Sequence, residues 1–378
     1  MVYEIALYAG LIILAAGLVH RIDAWFMLQV GTRRGDIPPA RRWLAALKGI
    51  LGAVFSLRVF KLLKVLVLDV LLQGRILGDR KDPLIWPAHI CIFAGFVFLL
   101  LFHALADTFA HLIQPFYQST LNPFMFLRNL FGALLLTGLI LAVVRRLAWK
   151  QRIRTTARDA LALGILGAIT LSGFLLESLK ITSYAEFRAM AADYAGDLPP
   201  GDLQALRAYW VEHYGLAAPL PAAAPDMERG RALHESSCAM CHSRPGAAFV
   251  SYPVSRALYP AAARLDEAGM VTVLWYVHVL CCCFGLAYLA FSKMFHVIAT
   301  PVSLAVAELA GKQQAPAAAA NRQTIELDGC RHGGLCHETC RVRRGRLERI
   351  GTAAAYEPML LYVGTKAARD LGSREIAN

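Results

Sequence analysis

The residues best equipped for chemistry are Cys238-Ala-Met-Cys241-His242. Two cysteines three positions apart can each form a thioether to a haem vinyl group, and the adjacent histidine then reaches the iron as an axial ligand. Residue types and spacing together give the CxxCH pattern of a covalent haem c. The preceding run, Met227 to Ser237, looks like the opening helix of a small cytochrome c. For the second axial position the residues offer Met270, the only methionine downstream of His242 before the last apolar run, with His213 and His234 upstream and a five-coordinate or water-ligated haem as alternatives.

Four further histidines bracket two apolar runs. His278 and His296 stand 18 residues apart, five turns of a continuous helix, so they share one face about 27 Å apart. His89 and His103 stand 14 apart and return to nearly the same face at about 21 Å. If the two helices run in opposite directions, His103 meets the level of His278 and His89 that of His296. That arrangement would bind two haems b, one above the other, in a helix bundle. His111 also returns to the face of His89 and competes with His103. Isolated interfacial histidines that bond headgroups are the plain alternative, but four at matching levels are costly polar groups at membrane depth. Cys281, Cys282 and Cys283, one turn inside His278, read as small apolar packing residues against the outer haem.

A third cluster lies near the C-terminus. Cys330, Cys336 and Cys340 keep the spacing of a ferredoxin cluster site except that Gly333 takes the second cysteine's position. Three thiolates suit a three-iron cluster, a zinc site completed by His332 or His337, or no cofactor at all.

Composition dictates what must carry these groups. With 57% apolar residues, 17% charged residues and a mean hydropathy of +0.47, the 378-residue chain is an integral membrane protein. Five runs are long enough to span a bilayer: about residues 4–20, 84–106, 126–144, 160–179 and 271–292. The expected fold class is all-α: a five-span helix bundle with its N-terminus outside, a small periplasmic cytochrome c insert and a cytoplasmic tail. Its parts are residues 1–180 (four spans of a membrane cytochrome b), 181–270 (haem c insert), 271–310 (fifth span and extension) and 311–378 (tail). Gly311 to Ala320, rich in Ala, Pro and Gln, reads as a flexible linker. Residues 57–73 mix Arg58, Lys61, Lys64 and Asp69 into an apolar helix, which suits an amphipathic segment along the cytoplasmic interface.

Loop charges set the orientation. Residues 21–81 hold twelve Lys/Arg against four Asp/Glu, and residues 145–158 hold six basic and no acidic residues, so both connections read as cytoplasmic. Residues 177–270 carry eight basic against eleven acidic residues and read as exported, which puts Cys238 and Cys241 where haem c is attached. The net charge of +12 is confined to such loops and gives no case for nucleic acid. The location expected is the bacterial inner membrane, multi-pass, with the insert in the periplasm. No phosphate-binding, serine-nucleophile or metalloprotease motif is present, so the chain has nothing with which to make or break substrate bonds alone.

At this point the chain resembles a known family. Five spans, histidine pairs on the second and fifth, and the run Trp275-Tyr-Val-His278 to Ser292-Lys-Met-Phe-His296 look like the cytochrome b subunits of respiratory nitrate reductase (gamma) and of membrane-bound heterodisulfide reductase. The run from Asp69 to Trp86-Pro-Ala-His89-Ile is closer to the branch found in the Dsr sulfur-metabolism complex. The resemblance covers residues 1–180 and 271–310. It implies a diheme membrane anchor, the electron-transfer subunit of a quinone-linked oxidoreductase complex, exchanging electrons between quinone and a cytoplasmic iron-sulfur subunit. A periplasmic cytochrome c and other membrane subunits are further expected partners, with membrane lipid around the spans. Asp107, at the outer end of the second span, is a candidate for the proton that quinone chemistry must handle. The haem c insert departs from the simplest members. A haem-based sensor or scaffold, and a proton-relaying transporter, are the rival readings; the first needs no haem b and the second no haem in the membrane.

Overall fold

The computed structural model describes residues 2–28, 37–77, 82–106, 112, 117–148, 157–219, 226–309 and 316–328. Every regular element among them is helical. Five helices are long and apolar enough to cross a membrane: α1 (Val2–Met27), α4 (Ile85–Leu99, continued by a π turn to Ala104), α5 (Phe124–Ala148), α6 (Ala157–Thr182) and α12 (Met270–Leu289). Large apolar side chains such as Ile5, Ile12 and Val19 on α1 and Ile140 on α5 remain exposed, as they must if lipid rather than protein covers them. The chain is a multi-pass membrane protein. Between α1 and α4 lie α2 (Pro39–Val54) and α3 (Val59–Lys64), the latter running into a π turn, Val65–Leu71. The segment 57–73 is therefore helical but broken, and it is not one of the spans.

The chain divides into two compact units. The first comprises Met1–Ala6, Pro87–Val144 and Leu163–Gly285. Within it, close packing is made by small residues. A Cβ on Gly95 would sit 2.6 Å from the backbone nitrogen of Leu135, and one on Gly138 would sit 2.6 Å from that of Ile92, so α4 and α5 touch backbone to backbone. Gly132 of α5 receives the ring of Phe174 on α6, and Tyr3 stands edge-on to Trp275 of α12 with ring centroids 5.6 Å apart. In apolar solvent no hydrophobic drive pulls helices together, so such close van der Waals fits must do it.

The same unit holds α7 (Tyr184–Tyr194), α8 (Pro200–Tyr214), α9 (Met227–Ser237), α10 (Ser251–Leu258) and α11 (Ala262–Glu267), the five short helices between the fourth and fifth spans. Ser183 caps α7, its hydroxyl accepting from Glu186 N at 3.1 Å, and also bonds the carboxylate of Asp266. Ala185 N donates to the same carboxylate at 2.9 Å, which ties the entry of the segment to its exit. Gly230 lets α9 cross α8 directly over the backbone of Ala205, beside Tyr209, where no Cβ fits.

The second unit comprises Leu7–Trp86, Arg145–Ala162 and Leu286–Asn378. Its core joins Trp25, Phe26, Phe295, Ala299 and Ile325. Arg42, only 1% exposed, bonds Asn321 Oδ1 (2.8 Å), Trp25 O (2.6 Å), Leu28 O (2.6 Å) and Thr324 Oγ1 (3.2 Å). That clamp holds α14 (Pro316–Asp328) against the end of α1 and α2. Pro316–Ala320 thus belongs to a helix rather than to a flexible linker, because α14 has buried partners that composition does not reveal.

A second expectation also changes. Helix α12 stops at Leu289, and Ser292, in extended conformation, caps a short 3-10 turn by accepting from Met294 N at 3.0 Å. His296 then opens α13 (His296–Leu309). His278 and His296 are not on one continuous helix, and the same-face argument for that pair does not hold. On α4 the π turn has the same effect in milder form, since its wider repeat rotates His103 away from the register of a pure α-helix.

The backbone contact at Gly138 predicts that Gly138→Leu overpacks the α4/α5 crossing and destabilises the detergent-solubilised protein by about 1–3 kcal/mol. Gly164→Ala, where nothing lies within 4 Å of the new Cβ, should leave the thermal unfolding midpoint unchanged or slightly raised.

Candidate functional site

Helix α9 ends where the CxxCH run begins. His234 O accepts from both Cys238 N and Ala239 N at 2.8 Å, and Cys238 O accepts from Cys241 N (3.0 Å) and His242 N (2.9 Å). The chain therefore coils tightly, and the two cysteines and His242 stand on one turn. Cys238 is buried in an apolar cluster with Leu206, Trp210, Tyr214 and Leu233; Cys241 is half-buried, and Met240 between them is exposed. The His242 ring lies edge-on to Trp210, with centroids 5.2 Å apart. Burial, with His234 adding repulsion, holds its pKa down to about 4, so the imidazole is neutral and free to ligate. Burial also pushes the Cys238 thiol up to about 11, which keeps it protonated until it reacts. The donor set and its compact turn fit a covalent haem.

This turn is stitched to the membrane helices. Thr120 Oγ1 donates to Cys241 O at 2.5 Å, Ser243 N donates to Thr120 O at 3.0 Å, and Asn122 N donates to Ser243 Oγ at 3.0 Å. Below it Asn129 of α5, fully buried, accepts from Val250 N and Ser251 N at 3.2 Å each through Oδ1. Its Nδ2 donates to Glu177 Oε2 of α6 at 2.9 Å. Glu177 also accepts from Ser251 Oγ at 2.6 Å and pairs with Arg128. Ser178 Oγ donates to Ser251 O at 2.9 Å. A carboxylate in an apolar span is expensive unless it is paired and bonded on all sides, and here it is. Sequence reading passed over Glu177, Asn129 and Ser251, although one lone acid in an otherwise apolar span is a signal that could have found the first.

In the same unit the rings of His103 and His278 lie with centroids 6.2 Å apart and planes tilted by 41°. Two imidazoles on opposite sides of one metal, each with a metal–nitrogen bond of about 2 Å, have centroids separated by about 6 Å, so the pair fits an iron between them. His278 is oriented for this. Its Nδ1 lies 3.1 Å from both Ile169 O and Ser172 Oγ; donation to the carbonyl leaves Nε2 with the free lone pair. The ring rests on bare backbone, since a Cβ at Gly173 would lie 3.1 Å from its Cε1. Cys282 Sγ lies 3.9 Å from Nε2 and can donate a weak hydrogen bond to that lone pair. His103 sits in the π turn Leu100–Ala104, a helix irregularity that often accompanies functional sites.

Of the other expected residues, His89 lies in the first unit, on α4, and His296 in the second, where its Nδ1 contacts Lys293 O at 2.6 Å. Met270 opens α12 and packs with Leu176, Leu179 and Val271, a cluster that shares no residue with that of Cys238. Its position on a membrane helix, not chain distance from the motif, decides its neighbours. Asp107, His111, Cys330, Cys336 and Cys340 lie outside the described residues. Among the described residues no group of three His, Cys, Asp or Glu converges on a metal.

No family model matches this chain, and no solved structure does. A stretch of 126 residues, 32% of the chain, is 33% identical to a subunit of the dihydromethanophenazine:CoB–CoM heterodisulfide reductase of Methanosarcina thermophila. The same component of the Methanosarcina barkeri reductase is 31% identical and that of Methanosarcina acetivorans 34%. Over that stretch the resemblance to the heterodisulfide reductase subunits is borne out. The chain spans about half the length of the curated relatives it matches, 47% in each case.

Asn129→Ala should leave Val250 N and Ser251 N without their acceptor and Glu177 short of a donor, at a cost of about 1–3 kcal/mol. The expected observation is a lowered unfolding midpoint together with faster limited proteolysis within residues 181–270, while Asn129→Asp, which sets a second carboxylate against Glu177, should be at least as destabilising.

Proposed function

We propose that this chain is the haem-bearing membrane subunit of a redox complex and that it carries electrons across the bilayer. The observation that carries the reading is the close pair His103 and His278, with ring centroids 6.2 Å apart and the second ring fixed through Nδ1. A haem b held there supplies one-electron redox chemistry between two helices. The chain's own contribution is orientation and exclusion: Ile169 O fixes the tautomer of His278, Gly173 makes room for the ring, and the apolar spans keep water away.

The rest of the proposed path extends from that pair. Cys238, Cys241 and His242 hold a haem c on the periplasmic side, fastened by Thr120 and Asn129 to the helices near the outer haem b. A second haem b at His89 and His296 is part of the proposal on sequence alone; with the helix broken at Leu289, its support is the family likeness rather than spacing. Electrons pass between quinone or the haem c and a cytoplasmic iron-sulfur partner, in a complex of sulfur metabolism in the bacterial inner membrane. The loop charges support this orientation, N-terminus outside and C-terminus inside. The relatives' name joins dihydromethanophenazine and a heterodisulfide in one reductase, which supports a lipid-facing donor and a partner subunit that performs the bond chemistry. Cys330, Cys336 and Cys340 would hold an iron-sulfur cluster or zinc next to that partner.

The test is a pyridine haemochrome spectrum of the purified full-length protein. One haem c and two haems b per chain are expected, and His278→Ala should remove one haem b while the covalent haem stays. A membrane domain without haem b would overturn the proposal in favour of a sensor, scaffold or transporter.

A further inference from the structure

We propose that Met190, upstream of the CxxCH motif, is the second axial ligand of the haem c, opposite His242. The inference rests on reading Cys238, Cys241 and His242 as the haem c site. On α7, Phe187, Met190 and Ala191 are spaced i, i+3 and i+4 and form one face, of which Phe187 and Ala191 are 3% exposed. Met190 packs against the cluster that also buries Cys238 and Trp210. The ring of Phe187 is 5.5 Å from that of Trp210, and Trp210 is in turn 5.2 Å from His242. Folding thus sets Met190, partly buried, against the same apolar cluster that holds Cys238. A methionine there is chemically apt: it is a soft, neutral donor on an unbranched chain that adjusts to its target, and a His/Met pair raises the potential of a haem c.

The other donors are placed less well. Met240 is 79% exposed, and Met227 lines an open cleft with His213, Arg231 and Arg244. Met270 packs in the separate cluster on α12. His234 is buried with Nδ1 unpartnered, but its Nε2 is bonded to Tyr214 Oη at 2.7 Å and it stands one helical turn before Cys238, on the attachment side. Because α8 and α9 follow α7 in the chain and cross at Gly230, the ligand would precede the motif in sequence, where a search downstream of His242 does not look.

The experiment compares the full-length membrane protein with Met190→Ala, Met190→His and Met270→Ala. Covalent haem per chain is measured first, and its absence from the wild type would overturn the haem c reading and this assignment together. With covalent haem present, the wild-type ferric spectrum should show the weak near-infrared charge-transfer band of a methionine–iron bond, which bis-histidine haems b do not give. Met190→Ala should lose that band and gain carbon monoxide binding at the haem c. Met190→His should lose the band, remain low-spin and show a lower midpoint potential, which separates a ligand from a residue that merely packs. Met270→Ala should keep the band. Persistence of the band in Met190→Ala, or its loss in Met270→Ala alone, would overturn the assignment, as would a wild-type haem c that lacks it.

Discussion

The buried carboxylate of Glu177 is the constraint on which the first unit depends. A negative charge in an apolar span costs several kcal/mol unless every lone pair is used, and removing its ion-pair partner, Arg128, would cost about 3–5 kcal/mol. Its three partners come from two places: Arg128 and Asn129 on α5, and Ser251 at the start of α10. Satisfying one acid therefore fixes two membrane helices and the segment between the fourth and fifth spans in a single arrangement. Asn129 completes the knot by accepting the first two amides of α10, which would otherwise be buried donors without a partner.

Around that knot, close packing rather than hydrophobic drive positions the histidines. Gly95 and Gly138 bring α4 against α5 at backbone distance, Gly132 admits Phe174 of α6, and Gly173 admits the ring of His278. Each of these contacts forbids a side chain at one point and so fixes the axial register of a helix pair. The π turn at Leu100–Ala104 then turns His103 toward its partner at the cost of regular helix geometry. The attachment turn is fixed in the same spirit, by Thr120 and Ser243 reaching across from two distant parts of the chain.

Some of this was legible in the sequence and some was not. The five spans follow from runs of apolar residues whose length matches the bilayer, and the helix before Cys238 follows from its N-cap, Asp226, whose carboxylate accepts from Arg229 N at 2.9 Å. The break after Leu289 was hidden because apolar residues run on to Phe291 and resume after Lys293, while a single Ser292 side chain redirects the backbone. Likewise Pro316–Ala320 has a linker's composition, yet Asn321 and Thr324 just beyond it bond a buried arginine 279 and 282 residues away and give the helix a place to dock.

What the sequence by itself determined is local: that this chain must sit in a membrane, that Cys238, Cys241 and His242 carry the spacing of a CxxCH motif, and that the polar segment between the last two spans suits helices. These are set by residue type and by spacing within one or two helical turns, where geometry follows from the backbone repeat. Only the tertiary structure decided that His103 comes next to His278, that Met190 rather than Met270 packs with the residues around Cys238, and that Glu177 lies at the junction. Those outcomes depend on how helices rotate and slide against each other. That is governed by where bare glycine backbones touch and where a buried charge finds its partners, and no period in the sequence records it.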